Sequence, residues 1–369
     1  MKIAFNKFSG FYSENKEKIL LNLERVLNTG EYIRANEIQI LETKISKLCN
    51  RKFALTTSSC TNAIFLALKT IDIKPSDEII LPSFSYIASL SPILMCNAKP
   101  VFVDIRPETL TLDFDLINKA ITPKTKAVIF VQLFGYSQDL SELKSFLKEK
   151  NIILIEDAAQ ALGSKVNNLN GGEQGNVSCI SFDPTKIVSA FGTGGVVLTD
   201  NQKYYDKLTK LIHHGRNKNG EFEILGYNSK ISELNAAIIN LQLENLDSIL
   251  ERNNKVANLY FAELSNNNNN IKILKPNSNQ FSTYHKFVIQ AKNRNELRKH
   301  LYNNGIETKI HYSTLLHEQK LLNNFEFKTH NLQNSEYAQE KVLSLPIYPS
   351  LTKEEISYIC ECIKNFYEQ

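Results

Sequence analysis

The stretch Ile155-Glu156-Asp157-Ala158-Ala159-Gln160-Ala161 decides how this chain is read. The apolar run Ile152-Ile153-Leu154-Ile155 leads into two carboxylates and then into small residues, the order expected where a buried strand ends at the rim of a sheet. Ligand sites in open α/β sheets lie outside the carboxyl ends of the strands, so Asp157 stands where a site is expected. Taken alone, an aspartate there is ordinarily a helix cap or a turn residue.

Working outward, similar runs recur. Phe53–Thr57, Glu78–Leu81, Pro100–Val103, Ala127–Val131, Cys179–Phe182 and Val196–Leu198 read as strands, with helical stretches such as Leu140 to Lys150 between them. Continuous apolar strands alternating with helices predict an α/β fold with a mostly parallel sheet covered on both faces. Residues 16–48 carry helical periodicity broken near Asn28-Thr29-Gly30, and Ser58-Ser59-Cys60-Thr61 supplies capping residues ahead of the apolar run Ala63 to Leu68. A helical pattern from Ser232 to Leu264 is followed by a polar loop through Asn270. Beyond it come a strand at 284–290, a helix at 296–303, a strand at 307–311 and a closing helix from Lys353. This predicts a large domain, residues 1–245, and a smaller α+β domain, residues 246–369.

Composition narrows the function. With 42% hydrophobic and 22% charged residues the chain is an ordinary globular protein, and a net charge of +4 without Lys/Arg blocks gives no nucleic-acid footprint. The start, MKIAFNKFSGFYSENKEK, has no apolar core, and no run approaches the roughly 18 residues of a membrane span, so a cytoplasmic protein is expected. Six scattered cysteines and seven histidines without an HExxH pattern predict free thiols and no metal.

A second constellation follows the first. Ser181-Phe182-Asp183-Pro184-Thr185-Lys186 leaves a strand through a Pro-containing turn, and Gly192, Gly194 and Gly195 follow, allowing close backbone passage past a ligand. A lone lysine is usually a solvated surface residue; a buried one with a lowered pKa is what imine chemistry requires.

With LTTSSCTNA, LPSFSYIAS, VQLFGYSQD, IEDAAQALGS, ISFDPTKIVSAFGTGGVVLTD, GYNSKISELNAA and LSLPIYPSLT, the chain resembles the DegT/DnrJ/StrS family of sugar aminotransferases along nearly its whole length. The resemblance implies a fold-type-I transferase, its large domain built on a seven-stranded-type sheet, with pyridoxal 5′-phosphate as cofactor. It further implies that Lys186 is the Schiff-base lysine, that Asp157 pairs with the pyridine nitrogen, that Gln160 sits beside the phenolic oxygen and that Tyr86 stacks on the ring. Ser59, Cys60, Thr61 and Ser181 would hold the phosphate, and Asn228 would reach the phosphate of a neighbouring subunit, making a homodimer. Tyr86 could equally be a core aromatic, and Ser181 a strand-end serine bonded to backbone.

His213, His214, Arg216, Lys218, Lys230 and His311 are candidates for contacts to the sugar or its diphosphate, although loop solvation accounts for each as well. This chain departs from the family pattern at Cys60, Gln132, Thr193 and Lys230, which bears on substrate contacts. The implied reaction moves an amino group from L-glutamate to a nucleotide-linked keto-sugar for surface polysaccharide assembly, with a 4-keto-6-deoxy acceptor ahead of a 3-keto one. Two other readings stay open: a dehydratase on the same fold, whose relatives carry histidine in place of the lysine, and a regulatory protein without turnover.

Overall fold

The computed structural model describes residues 1–265 and 270–368, so most of the Asn266 to Asn270 run expected to be a loop lies outside the described residues. Seven strands lie where the sequence places them: β1 (Phe53–Thr57), β2 (Glu78–Pro82), β3 (Lys99–Val103), β4 (Thr125–Val131), β5 (Ile153–Asp157), β6 (Val177–Ser181) and β7 (Gly195–Thr199). An eighth, β8 (Lys328–Thr329), arrives from the C-terminal part and gives the order β1-β7-β6-β5-β4-β2-β3-β8. Pairing is parallel from β6 across to β8 and antiparallel where β7 joins β1 and β6. Sequence reading missed β8 because two residues show no periodicity; Lys328 marks it by pairing with the buried Glu78.

Alternate residues of each strand enter opposite layers. Ile79, Leu81, Ile129, Val131 and Ile155 pack with the apolar helix Cys60–Thr70 and the C-terminal part, whereas Ile80, Val128, Phe130 and Leu154 pack with Leu143 and Leu147 of the Ser141–Glu149 helix. Both faces are therefore dry, which is why these strands read as unbroken apolar runs.

Three helices come first in the N-terminal part: α1 (Gly10–Thr29) and α2 (Asn36–Leu48) pack on the Glu233–Glu244 helix, α2 also on β1, and α3 (Cys60–Thr70) packs on β6 and β7. Gly30 ends α1 in the left-handed conformation at φ 70°, which a residue without Cβ adopts freely. Ala35 offers no side-chain cap to α2. The buried Glu233 supplies it from a distant segment: its carboxylate accepts from the N–H groups of Ala35 (2.5 Å), Glu37 (2.7 Å) and Ile38 (3.2 Å).

The C-terminal part carries a three-stranded antiparallel sheet, with Phe287–Ala291 between Ile271–Ile273 and Val342–Leu345. Three expectations change here. The helix expected from Ser232 to Leu264 is two, Glu233–Glu244 and Leu246–Leu264, broken at Asn245, whose φ of −107° leaves the helical range. The strand expected from Tyr284 starts at Phe287, because Tyr284 takes φ 47°. The strand expected at 307–311 is absent: Ile306 and Lys309 make single bridges to Ile3 and Ser344, stitching the segment between two partners. The N-terminus is thus tied to the C-terminal part, with Ile3 N–H donating to Gly305 O (2.8 Å) and Phe5 N–H to Glu307 Oε2 (3.1 Å).

Because Glu233→Ala strands three backbone donors at the start of α2, two of them buried, it should lower unfolding free energy by roughly 3 kcal/mol. Glu233→Gln, which keeps an acceptor, should lose less. Urea unfolding followed by far-ultraviolet circular dichroism measures both, and an unchanged midpoint in the alanine variant would refute the capping role.

Candidate active site

The carboxyl ends of β4, β5 and β6 and the start of α3 open onto one cleft of about 510 Å³. Of the residues singled out in the sequence, Ser59, Cys60, Thr61, Tyr86, Asp157, Gln160, Ser181, Lys186, Thr193 and His311 line it. A smaller hollow of about 140 Å³ adjoins it and shares Thr185, Lys186, His285 and Lys286.

Asp157 ends β5 with its carboxyl buried at the cleft floor. Ser89 Oγ donates to Oδ2 (2.8 Å) and Ala159 N–H to Oδ1 (3.1 Å). Burial pushes its pKa up, against the opposing pull of these hydrogen bonds and of the Lys186 charge. Lys186 follows the turn after β6, in which Asp183 accepts from the Thr185 N–H (2.9 Å) and hydroxyl (2.6 Å). Burial pushes the Lys186 amine below its ordinary value, only partly offset by Cys60, Asp157 and Asp183. The cleft therefore holds an amine and a carboxyl, each shifted toward its uncharged form.

At the start of α3, Ser59 is the extended N-cap and its hydroxyl accepts from Asn62 N–H (3.2 Å). The first-turn N–H groups of Cys60 and Thr61 have no intrahelical acceptor and, with the helix dipole, form a seat for an anion. The Cys60 thiol is buried there and raised well above its ordinary pKa by burial. Main-chain proximity fixes this seat: a Cβ on Gly195 would meet Cys60 N and Ser59 C at 2.6 Å. Ser181 also lines the cleft while accepting from Asp183 N–H (3.3 Å), so its hydroxyl already serves the turn.

Tyr86 is not a core aromatic. It is 58% exposed, with its ring centroid 6.2 Å from that of Tyr312, so a ring face is free for a planar ligand. Gln160 accepts from Phe134 N–H (2.9 Å) and donates to Tyr312 Oη (2.9 Å), anchoring its amide at the cleft wall. His285 adds Nδ1 at 3.2 Å from Gln160 Oε1 and Nε2 at 3.1 Å from Thr185 O. Burial holds this imidazole neutral, and a neutral ring donates to only one of them. His311 is also held neutral by burial, its pKa pushed to about 3, with Nδ1 2.8 Å from Ser344 Oγ.

Other expected contacts lie elsewhere. Asn228, His213, His214, Arg216, Lys218 and Lys230 do not line this chain's cleft. They sit on the 213–230 segment, where His213 and Asn228 bridge one another and Arg216 Nε donates to Gly220 O (3.0 Å). Burial and the nearby Arg34 and Lys230 charges hold His213 at about 4. That segment abuts the α3 entrance, since Ser58 N–H donates to Ser229 O (3.0 Å). Gln132 is removed from the substrate question: it is buried and bonds Glu156 Oε1 and Gln138 O, each at 3.3 Å.

Ser89, His285, Lys286, Lys309 and Tyr312 line the cleft without having been singled out as site residues. Ser89 lies inside the quoted LPSFSYIAS motif and Tyr312 follows His311, so motif membership could have flagged both; the two lysines carry no local signal.

Gly195→Ala should cost roughly 1–3 kcal/mol, because the obstructing atoms are backbone and cannot swing aside. Denaturant unfolding reads this, and a neutral substitution would show that the close approach is not required.

Comparison with known proteins matches the chain along its whole length. The family described as DegT/DnrJ/EryC1/StrS aminotransferase matches residues 13–364. The chain is 32% identical over 368 residues to a pleiotropic regulatory protein of Geobacillus stearothermophilus, covering 100% of this chain and 99% of that one. It is 31% identical over 350 residues to UDP-N-acetyl-3-dehydro-alpha-D-glucosamine 3-aminotransferase of Acidithiobacillus ferrooxidans, covering 95% and 94%. The crystal structure of S. venezuelae DesV in complex with a ketimine intermediate superposes with a TM-score of 0.95 at 30% identity, over 100% of this chain and 99% of that one. Whole-length matches in both sequence and structure, over a cleft that joins a lysine to a strand-end carboxyl, lead to one conclusion: the chain belongs to the DegT/DnrJ/EryC1/StrS aminotransferase family.

Proposed function

We propose that this chain transfers an amino group from L-glutamate to a ketone on a nucleotide-linked sugar, in the assembly of a surface polysaccharide, as a homodimer in the cytoplasm. It is a pyridoxal-phosphate-dependent transaminase. The observation that carries the reading is the meeting of Lys186 and Asp157 in one cleft.

The residues present fit the cofactor. A buried carboxyl with a raised pKa awaits a cation, and a protonated pyridine nitrogen is one; ionising Asp157 beside it stabilises both. The start of α3 suits the phosphate, Tyr86 suits the ring face, and Gln160 suits the phenolic oxygen. When bound, the cofactor supplies a carbonyl for amine exchange and a ring that accepts the electron pair released at the substrate carbon. Lys186, held toward its free-base form by burial, is the group that would move the proton between the substrate carbon and the cofactor's C4′ carbon. Nearby Asp183 is held within its own turn by Thr185.

For the acceptor, the Acidithiobacillus relative is named for amination at carbon 3, which favours a 3-keto sugar over the 4-keto-6-deoxy sugar first expected. Arg216, Lys218 and Lys230 remain candidates for a nucleotide diphosphate if a second subunit brings its 213–230 segment to this cleft, with Asn228 beside the phosphate. The exposed apolar side chains Tyr32, Ile33, Phe191, Phe222 and Leu225 support such an interface. Tyr32 and Thr193 are tied to the start of the Glu233–Glu244 helix through Glu233 N–H and Asn235 Nδ2. We keep the division at residue 245, with residues 3–5 joined to the second unit. The regulatory name of the Geobacillus relative invites a reading without turnover, but a depressed lysine facing a buried carboxyl is machinery that regulation alone does not require. Lys186 also weighs against the dehydratase reading.

Incubating protein, cofactor and L-glutamate with nucleotide-linked 3-keto and 4-keto sugars should yield a 3-amino product, and Lys186→Ala should lower the rate by roughly 10³-fold or more while the fold persists. Preference for a 2-oxo acid acceptor, or equal efficiency with a free sugar lacking the nucleotide, would overturn the reading. In a second test, mixing inactive Lys186→Ala and Asn228→Ala subunits should restore activity in the hybrid; no recovery despite confirmed subunit exchange would mean a self-contained site.

A further inference from the structure

Three lysine amines line the cleft, and only Lys186 has a part in the chemistry above. We propose that the other two, Lys286 and Lys309, form with Phe5 an anion subsite that receives a substrate carboxylate beside the reacting centre. This deepens the aminotransferase reading and rests on it.

Both amines lie over one ring, Lys286 Nζ at 5.6 Å and Lys309 Nζ at 5.3 Å from the Phe5 centroid. Two cations held against one aromatic ring repel each other, and the Lys309 charge acts on Lys286; an anion bound within reach of both amines relieves that repulsion. Lys286 is 5% exposed and, among the described residues, its ammonium has no carboxylate or hydrogen-bond partner. An unpaired buried cation is costly, and the amine responds: burial, then the Lys186 and Lys309 charges, push it down to about 7, with Asp183 opposing. The carboxyls that line the cleft are engaged elsewhere, Asp157 with Ser89 and Ala159, and Asp183 with Thr185. His285 and His311, the other titratable neighbours, are held neutral by burial.

The proposed subsite draws on the N-terminal segment and the C-terminal part, whereas the phosphate seat is the start of α3. The cation pair is also held in place: Phe5 N–H is fixed on Glu307 Oε2 at 3.1 Å, and Lys309 N–H donates to Ser344 O at 3.2 Å. A carboxylate could come from the amino donor or from an acidic sugar acceptor, and the same chemistry serves either.

The test uses cofactor-loaded enzyme and glutarate, a five-carbon dicarboxylate without an amino group, titrated calorimetrically. Lys309→Met, at an exposed position, and Lys286→Met should each weaken glutarate binding about tenfold or more, and Lys309→Arg should keep it. Wild-type binding should weaken as pH rises and the Lys286 amine, held low by burial, discharges. Two kinetic arms then separate the sources. A raised KM for L-glutamate with acceptor preference intact assigns the subsite to the donor; lost preference for acceptors bearing a ring carboxylate, with the donor half-reaction intact, assigns it to the sugar. Unchanged glutarate affinity in Lys309→Met overturns the proposal, as does loss of the cofactor's absorbance band in both methionine variants, which would assign the amines to the cofactor phosphate. If wild-type enzyme aminates no keto-sugar, the proposed function falls while the glutarate titration still reads the subsite.

Discussion

Adjacent carboxylates on β5 face opposite sides of the sheet, and the rest of the architecture depends on how they are separated. Glu156 is caged: its oxygens accept from Gly172 N–H (3.0 Å), Gln174 N–H (2.9 Å), Gly175 N–H (3.1 Å) and Ser178 Oγ (2.8 Å). A buried carboxylate with this many donors folds the 172–178 loop back against its own strand and sets the entry into β6. The next residue along, Asp157, is left with two hydrogen bonds and a cleft. Because strand side chains alternate, fixing one carboxylate in the scaffold aims the other at ligand space.

The same low-dielectric setting acts on acid and base alike. Burial moves Asp157 up and Lys186 down, each toward its uncharged form. A pair so shifted is poised differently from a surface salt bridge, because burial weakens the charged form of each and an arriving cation or carbonyl weighs on which becomes charged. Tyr312 belongs to this economy of protons as well, its phenol raised by burial and held by Gln160.

Much of this was legible in the residues. The seven apolar runs gave seven strands, because a sheet dry on both faces leaves no alternation to obscure them, and the Lys186 and Asp157 motifs met in one cleft. Legibility failed where a contact is made by few residues over long separations. The two-residue β8, the bridge segment at 306–309 and the capping of α2 by Glu233 each depend on a partner far along the chain, which local periodicity cannot report. Lys286 and Lys309 were invisible for the same reason: nothing near either in sequence tells that both reach the Phe5 ring. Cys60 departs from the family pattern, and the anion seat there is made by main chain pressed together at Gly195.

The crossing of β8 into the large sheet has a consequence for how the chain can be divided. Its N-terminal residues pair with Ile306, and its C-terminal part supplies the edge strand beside β3. An excised fragment ending at residue 245 would carry a bare parallel edge at β3, an N-terminal tail without its partner and an unmatched Glu78 carboxylate. The two parts are spliced at both ends of the sequence, so neither is a transplantable module: genetic exchange among relatives can succeed by replacing whole chains or single loops, while a swap of halves would have to re-match three seams at once.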